Sequence, residues 1–215
     1  MGAGASVPAT REEALAQGYT EEQIRKYMSQ MGEEKNQQEY ENRPDHLKAF
    51  LTACSEGDLE TVRTLVENEN VDIETKSMSG APGVFFAAQG GFVPVLEYLS
   101  DRDANFKASD FGGSTPFHEA SRKGHPDAIE FMCSMAAGRV DIHKTDGQGW
   151  NALTCAAAAG HLDTVRLLLD KGVSADVQDV DGKTALDWAG ITKRSDVVEF
   201  LSSLGSGAGG GAEAK

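Results

Sequence analysis

Thr115-Pro116-Phe117-His118-Glu119-Ala120, followed four residues on by Gly124-His125, is the stretch whose recurrence decides the fold. Asn151-Ala152-Leu153-Thr154 leads in the same way to Ala156 and Gly160-His161. Thr184-Ala185-Leu186-Asp187 leads to Ala189, with Lys193 where the glycine would stand. Towards the N-terminus, Pro82-Gly83-Val84-Phe85 leads to Ala87 and Gly91-Phe92, and Lys48-Ala49-Phe50-Leu51 to Ala53 and Gly57-Asp58. The starts at 48, 82, 115, 151 and 184 are 34, 33, 36 and 33 residues apart. One match to so short a pattern is weak; five in phase define a repeat protein.

Each unit has the chemistry of two short antiparallel helices. A Thr or its substitute opens the first helix, where proline is tolerated. Ala53, Ala87, Ala120, Ala156 and Ala189 allow close helix approach, and glycines 57, 91, 124 and 160 let the chain turn. The second helix then carries an apolar stripe at helical spacing. Its members are Val62, Leu65 and Val66; Val95, Leu96 and Leu99; Ile129, Met132 and Cys133; Val165, Leu168 and Leu169; and Val197, Val198, Phe200 and Leu201. Turn signals of the form D-x-x-G join the units at Asp110, Asp146 and Asp179, with Ser77 replacing the acid at the first junction. Three extra residues in the third unit fall around 135–138, after its second helix. Glu56 and Asp58 at the front, and Ser202 and Ser203 at the back, read as polar caps.

These motifs resemble ankyrin repeats, whose units carry a TPLHxAA stretch and a Gly-His turn. The resemblance covers about three quarters of the chain. It implies an all-α solenoid of about five helix-turn-helix repeats with short hairpin fingers over residues 45–204. It also implies a protein-binding module rather than an enzyme. In this family the inner groove is lined by finger tips and the exposed face of the first helix. Mapped here, the position between the His and Ala sites holds Thr52, Phe86, Glu119, Cys155 and Trp188. The position before the Thr site holds Leu47, Ala81, Ser114, Trp150 and Lys183, and Phe111 stands at a finger tip. Aromatics concentrate in interface hot spots, so Phe86, Phe111, Glu119, Trp150, Cys155 and Trp188 form the expected partner surface.

Outside the array, residues 1–9 are small, and residues 10–31 read as two short helices with capping boxes at Thr10/Glu13 and Thr20/Gln23. Ile24, Tyr27, Met28 and Met31 share one face of the second, a further docking face for a partner. Residues 32–44 form a polar linker, and 205–215 a Gly-rich tail of disordered composition. The N-terminus Met-Gly-Ala-Gly-Ala-Ser fits the N-myristoylation pattern, with Gly2 as acceptor and Ser6 in its required place. One myristoyl chain binds bilayers weakly, with an association constant of about 10⁴ M⁻¹. No cysteine precedes Cys54, and Arg11, Arg25 and Lys26 are outnumbered by Glu12, Glu13, Glu21 and Glu22. Any membrane attachment is therefore expected to be reversible, or completed by a partner.

Composition narrows the function further. The formal net charge of -14 repels phosphate backbones, which argues against nucleic acid as a partner. No apolar run approaches the length of a membrane span. Three cysteines without a CxxC pair, and no signal peptide, point to the cytoplasm. The histidines His46, His118, His125, His143 and His161 follow the repeat period rather than a ligand set, so no metal is expected. Neither Cys133 nor Cys155 has a base arranged beside it by sequence, and the glycine tail lacks the lysine of a phosphate loop. No cofactor and no small-molecule substrate are expected. The reading is a cytosolic adaptor, lipidated at Gly2 and peripheral at a membrane. Its alternatives are a structural subunit of a large cytoskeletal or ciliary assembly, and a regulatory or inhibitory subunit of an enzyme.

Overall fold

The computed structural model describes residues 44–207. The Gly2 motif, the helical pair expected over 10–31 and most of the Gly-rich tail lie outside the described residues.

Ten helices and no strand occur among the described residues. The first helices of the five units are α1 (Asp45–Glu56), α3 (Gly83–Gln89), α5 (Pro116–Lys123), α7 (Ala152–Ala159) and α9 (Ala185–Ile191). The second helices, interleaved in the chain, are α2 (Leu59–Asn68), α4 (Val93–Ser100), α6 (Pro126–Ser134), α8 (Leu162–Asp170) and α10 (Ser195–Gly207). The first helices pack side by side in one row, each also against its own second helix. This is the all-α ankyrin-type solenoid that the repeat pattern predicts. α1 begins at Asp45, directly after Pro44 and three residues before the Lys48 repeat start, and α10 runs through Gly207, past the 205 boundary.

Capping side chains start the first helices. Thr115 accepts the His118 backbone N–H, while the His118 ring closes the box by accepting the Thr115 N–H at Nδ1, 3.3 Å away. Asn151 caps α7 by accepting the Thr154 N–H at 2.9 Å, and Thr184 caps α9 with Asp187 in the histidine's place. The second turn residue ties neighbouring units together. His125 Nε2 lies 2.9 Å from the Gln89 carbonyl, and His161 Nε2 lies 3.1 Å from that of Arg122. In the last unit Arg194 takes this role, its Nε donating to Ala158 O at 3.3 Å.

Gly124 shows why glycine stands at the turn. Its φ is +73°, and a Cβ there would sit 2.6 Å from the His161 ring. Lys193 keeps the left-handed conformation without glycine, at φ +60°.

Burial follows the repeat. Leu65, Leu99, Met132, Leu168 and Leu201 occupy one second-helix position and are all buried. The next position along, Val66, Cys133 and Leu169, is only half-buried in each unit, so Cys133 lies at the rim of the core rather than in it. The extra residues of the third unit loop outward after Ser134, and Arg139 pins them to the Ser100 and Ala104 carbonyls.

Candidate functional site

The fingers are built from one repeated turn. In each, the first residue's carbonyl accepts the N–H of the glycine three residues on: Ser77 from Gly80, Asp110 from Gly113, Asp146 from Gly149, Asp179 from Gly182. The first residue's side chain also accepts the N–H of the fifth, at 2.9 Å for Asp110, 3.0 Å for Asp146 and 2.8 Å for Asp179. Ser77 does the same through its hydroxyl at 3.2 Å, which is why a serine serves there. Successive fingers are then stitched together. Phe111 donates its N–H to Ser79 O, Gly147 to Gly112 O and Val180 to Gln148 O, at 2.8, 2.7 and 3.0 Å.

This stitching fixes the second residue of every finger in one row: Met78, Phe111, Gly147 and Val180. Three of them are apolar and open to water, Met78 at 43%, Phe111 at 74% and Val180 at 69%. They are three of the five large apolar side chains exposed among the described residues. The expected contact residue Phe111 is thus at the most open place of the row. Met78 and Val180 are additions, and the signal for them was the second position of the same D-x-x-G turn.

Behind the row, the two tryptophans meet. Trp150 and Trp188 are both half-buried, with ring centroids 4.6 Å apart and planes tilted by 54°. Trp188 Nε1 donates to Asp179 Oδ2 at 2.7 Å. Desolvation works against it, yet the Lys183 N–H and the Trp188 indole hold the Asp179 carboxyl below its usual range. Arg122 and Lys183 flank the pair, 5.9 Å from the Trp150 centroid and 5.7 Å from that of Trp188. The pair braces the third and fourth fingers against the last unit while leaving one side open.

Two expected contact residues lie underneath instead. Cys155 is 1% exposed, and burial pushes its thiol up to about 12. Glu119 is buried too, accepting from Gln89 Nε2 at 3.0 Å, Ser114 Oγ at 3.1 Å and Arg122 Nε at 3.1 Å. A carboxylate so enclosed is kept by its donors and is closed to a partner. Both residues therefore support the inner face without forming its surface. Phe86 is half-buried, edge-on to Phe85 at 5.6 Å. The Ile24, Tyr27, Met28 and Met31 face lies outside the described residues.

His118 joins the finger to the helix row. The Thr115 N–H can only donate, so Nδ1 accepts it, and Nε2–H donates to the Trp150 carbonyl at 3.1 Å. Burial holds its pKa below the ordinary 6.5.

Among the described residues no three His, Cys, Asp or Glu side chains converge as a metal site, and no helix is long and apolar enough to cross a membrane.

The fold and the stitched fingers define a repeat scaffold of the interaction class. Comparison with known families agrees: the model for ankyrin repeats (3 copies) matches residues 50–146 and 135–209. The chain belongs to the ankyrin-repeat family. It is 31% identical over 142 residues to a probable 26S proteasome regulatory subunit p28 of Saccharomyces cerevisiae, covering 65% of this chain and 61% of that protein. It is 30% identical over 163 residues to the palmitoyltransferase AKR1 of Lachancea kluyveri, covering 72% of this chain but 22% of that protein. Zebrafish inversin is 41% identical over 85 residues, 40% of this chain and 8% of inversin. The match thus spans less than two thirds of these relatives' own lengths.

Proposed function

We propose that this chain is a non-enzymatic adaptor that holds a partner protein along its finger row, with a myristoyl group on Gly2 making its attachment reversible. The observation that carries the reading is the row itself. Three large apolar side chains stand at the same position of separate fingers, outside the buried core. Apolar groups gathered on one edge of a water-exposed scaffold mark an interaction site. The half-open Trp150–Trp188 pair beside the row adds the kind of rigid aromatic surface that anchors interfaces.

The test is affinity capture of the full chain from its own cells, with Phe111→Glu and Gly2→Ala run alongside. Phe111→Glu should lose the captured protein while melting as wild type does. Gly2→Ala should lose labelled myristate and any membrane-bound fraction. Unchanged capture by Phe111→Glu would remove the finger row from the account, and absent myristate would remove the lipid.

The likeness to the yeast p28 protein favours a second reading, a regulatory subunit seated on a large assembly. Co-sedimentation with a large particle that survives high salt would favour it over a free adaptor.

A further inference from the structure

We propose that His118 is an acid-sensitive latch on the third finger: proton uptake at its Nδ1 frees residues 146–150, and with them the Trp150–Trp188 pair that flanks the finger row. The ring is bound in its neutral form. It is 1% exposed. Nδ1 accepts the Thr115 N–H at 3.3 Å, and Nε2–H donates to the Trp150 carbonyl at 3.1 Å. A proton on Nδ1 sets a donor against a donor, in a place where a charge has little water. The Thr115 hydroxyl, 2.8 Å from Nδ1, can rotate to accept the new proton, but the Thr115 N–H cannot turn away. A charged ring gains hydration when the finger above it lifts, and lifting breaks the Nε2 bond to Trp150.

The latch acts at one place. The positions equivalent to His118 hold Leu51, Phe85, Thr154 and Asp187. Leucine and phenylalanine side chains make no such bond, the Thr154 hydroxyl is committed to Asn151, and the Asp187 carboxylate to Thr184. None is an imidazole, so acid reaches one finger of the four described. The Trp150 carbonyl also accepts the Asp146 N–H at 2.9 Å, so the hairpin keeps its own turn when the ring lets go.

The neighbours of the ring set the direction. Burial is the largest influence and holds its pKa below 6.5. Asp146 of the third finger favours the proton, as does the Lys144 backbone, while Arg122 of α5 opposes it. Arg122 is itself paired with Glu119 at 3.1 Å and lies 3.8 Å from Asp146. Cys155 on α7 stays neutral, its thiol pushed up to about 12 by burial. With burial dominant, the closed form keeps the neutral ring, and the open form takes the proton first as pH falls below the ordinary value. The effect on a partner rests on the finger-row reading above. The latch itself does not, because Trp150 and Trp188 are the two tryptophans of the chain and report the finger directly.

The full chain, titrated from about pH 8 to about pH 5 with indole emission and far-UV circular dichroism recorded together, tests the latch. Emission should change in one reversible step centred below 6.5 while helical ellipticity holds. Asp179, which accepts from the Trp188 indole, is held below its usual range, so it stays charged and adds no step. His118→Gln should abolish the step, whereas His125→Gln and His161→Gln should keep it. Ring NMR of the wild-type chain follows the same proton without a substitution: His118 should titrate at the emission midpoint, starting from the Nε2–H tautomer. An emission that changes only when ellipticity falls overturns the latch, as does a step that survives His118→Gln or a His118 ring that stays neutral through it. Protein captured by the wild-type chain at about pH 7.5 should be lost at about pH 5.5, and kept by His118→Gln. Capture by wild type that persists at the lower pH overturns the latch as a control of binding. A chain that captures nothing at the higher pH counts against the finger row, and the emission step still decides the latch.

Discussion

Replacing Trp150 by alanine should destabilise the array, because its ring packs on Trp188 of the last unit. Fully buried aromatic-to-alanine changes cost about 3–5 kcal/mol. Trp150 is half-buried, so roughly half of that, near 2 kcal/mol, is expected, with the stack on Trp188 included. For a domain of this size each kcal/mol moves Tm by about 2–4 °C, giving a fall of about 4–8 °C. The backbone carbonyl that accepts from His118 is untouched by the substitution, so the turn itself should persist. Urea unfolding of wild type, Trp150→Ala, Trp188→Ala and the double variant isolates the stack. Aromatic pairs are worth about 0.5–1.5 kcal/mol beyond burial, and the cycle should return a coupling of that size. Trp188→Phe keeps a ring against Trp150 but deletes the donor to Asp179, so most of the coupling should survive it. Additivity within about 0.3 kcal/mol would mean that the rings touch without supporting each other, and the brace would be withdrawn.

Other consequences are simpler to measure. Leu168→Ala empties a fully buried second-helix site and should cost about 2–5 kcal/mol, read by the same unfolding assay. Gly124→Ala should also destabilise, because φ is +73° and the new Cβ would press on the His161 ring; wild-type stability would show that the turn relaxes freely. His118 has a folded pKa depressed below 6.5, so its contribution is intact above the unfolded value. As pH falls below about 6.5 the unfolded chain takes up the proton first, and stability should drop. His118→Gln should flatten that part of the pH dependence. Cys54 and Cys155 are buried with thiols near 12, while Cys133 is half-buried. Native-state alkylation followed by peptide mapping should therefore label Cys133 first.

The helical scaffold was readable because its determinants are local. A Thr cap, a turn Gly-His and an apolar stripe are each written within one unit's sequence, and repetition multiplies the signal. The surface was harder, because exposure depends on which neighbour lies across the groove. Glu119 looked like a contact from its position alone; only the approach of Gln89, Ser114 and Arg122 encloses it. Cys155 disappears for a related reason, lying fully buried close to that Arg122–Glu119 pair. Trp150 and Trp188 are 38 residues apart, and their stacking follows from the packing of adjacent units, which no single motif states. Met78 and Val180 were legible in principle. They share the turn position of Phe111, but neither aromatic character nor an acid at the first junction drew attention to Met78. At the back of the array Ser202 and Ser203 are exposed, while Leu186 and Val198, whose counterparts in earlier units are buried, are half-buried because no further unit follows in the described array.

The claim that a partner lies along the finger row is tested most directly by placing a photo-crosslinking residue in the chain. One form carries it at Phe111 in the row, and another at Glu130, exposed on the second helix of the same unit. Irradiated in its own cells, the Phe111 form should yield one dominant covalent adduct with another protein, and the Glu130 form should not. An adduct from Glu130 with none from Phe111 would put the partner on the second-helix face and contradict the account.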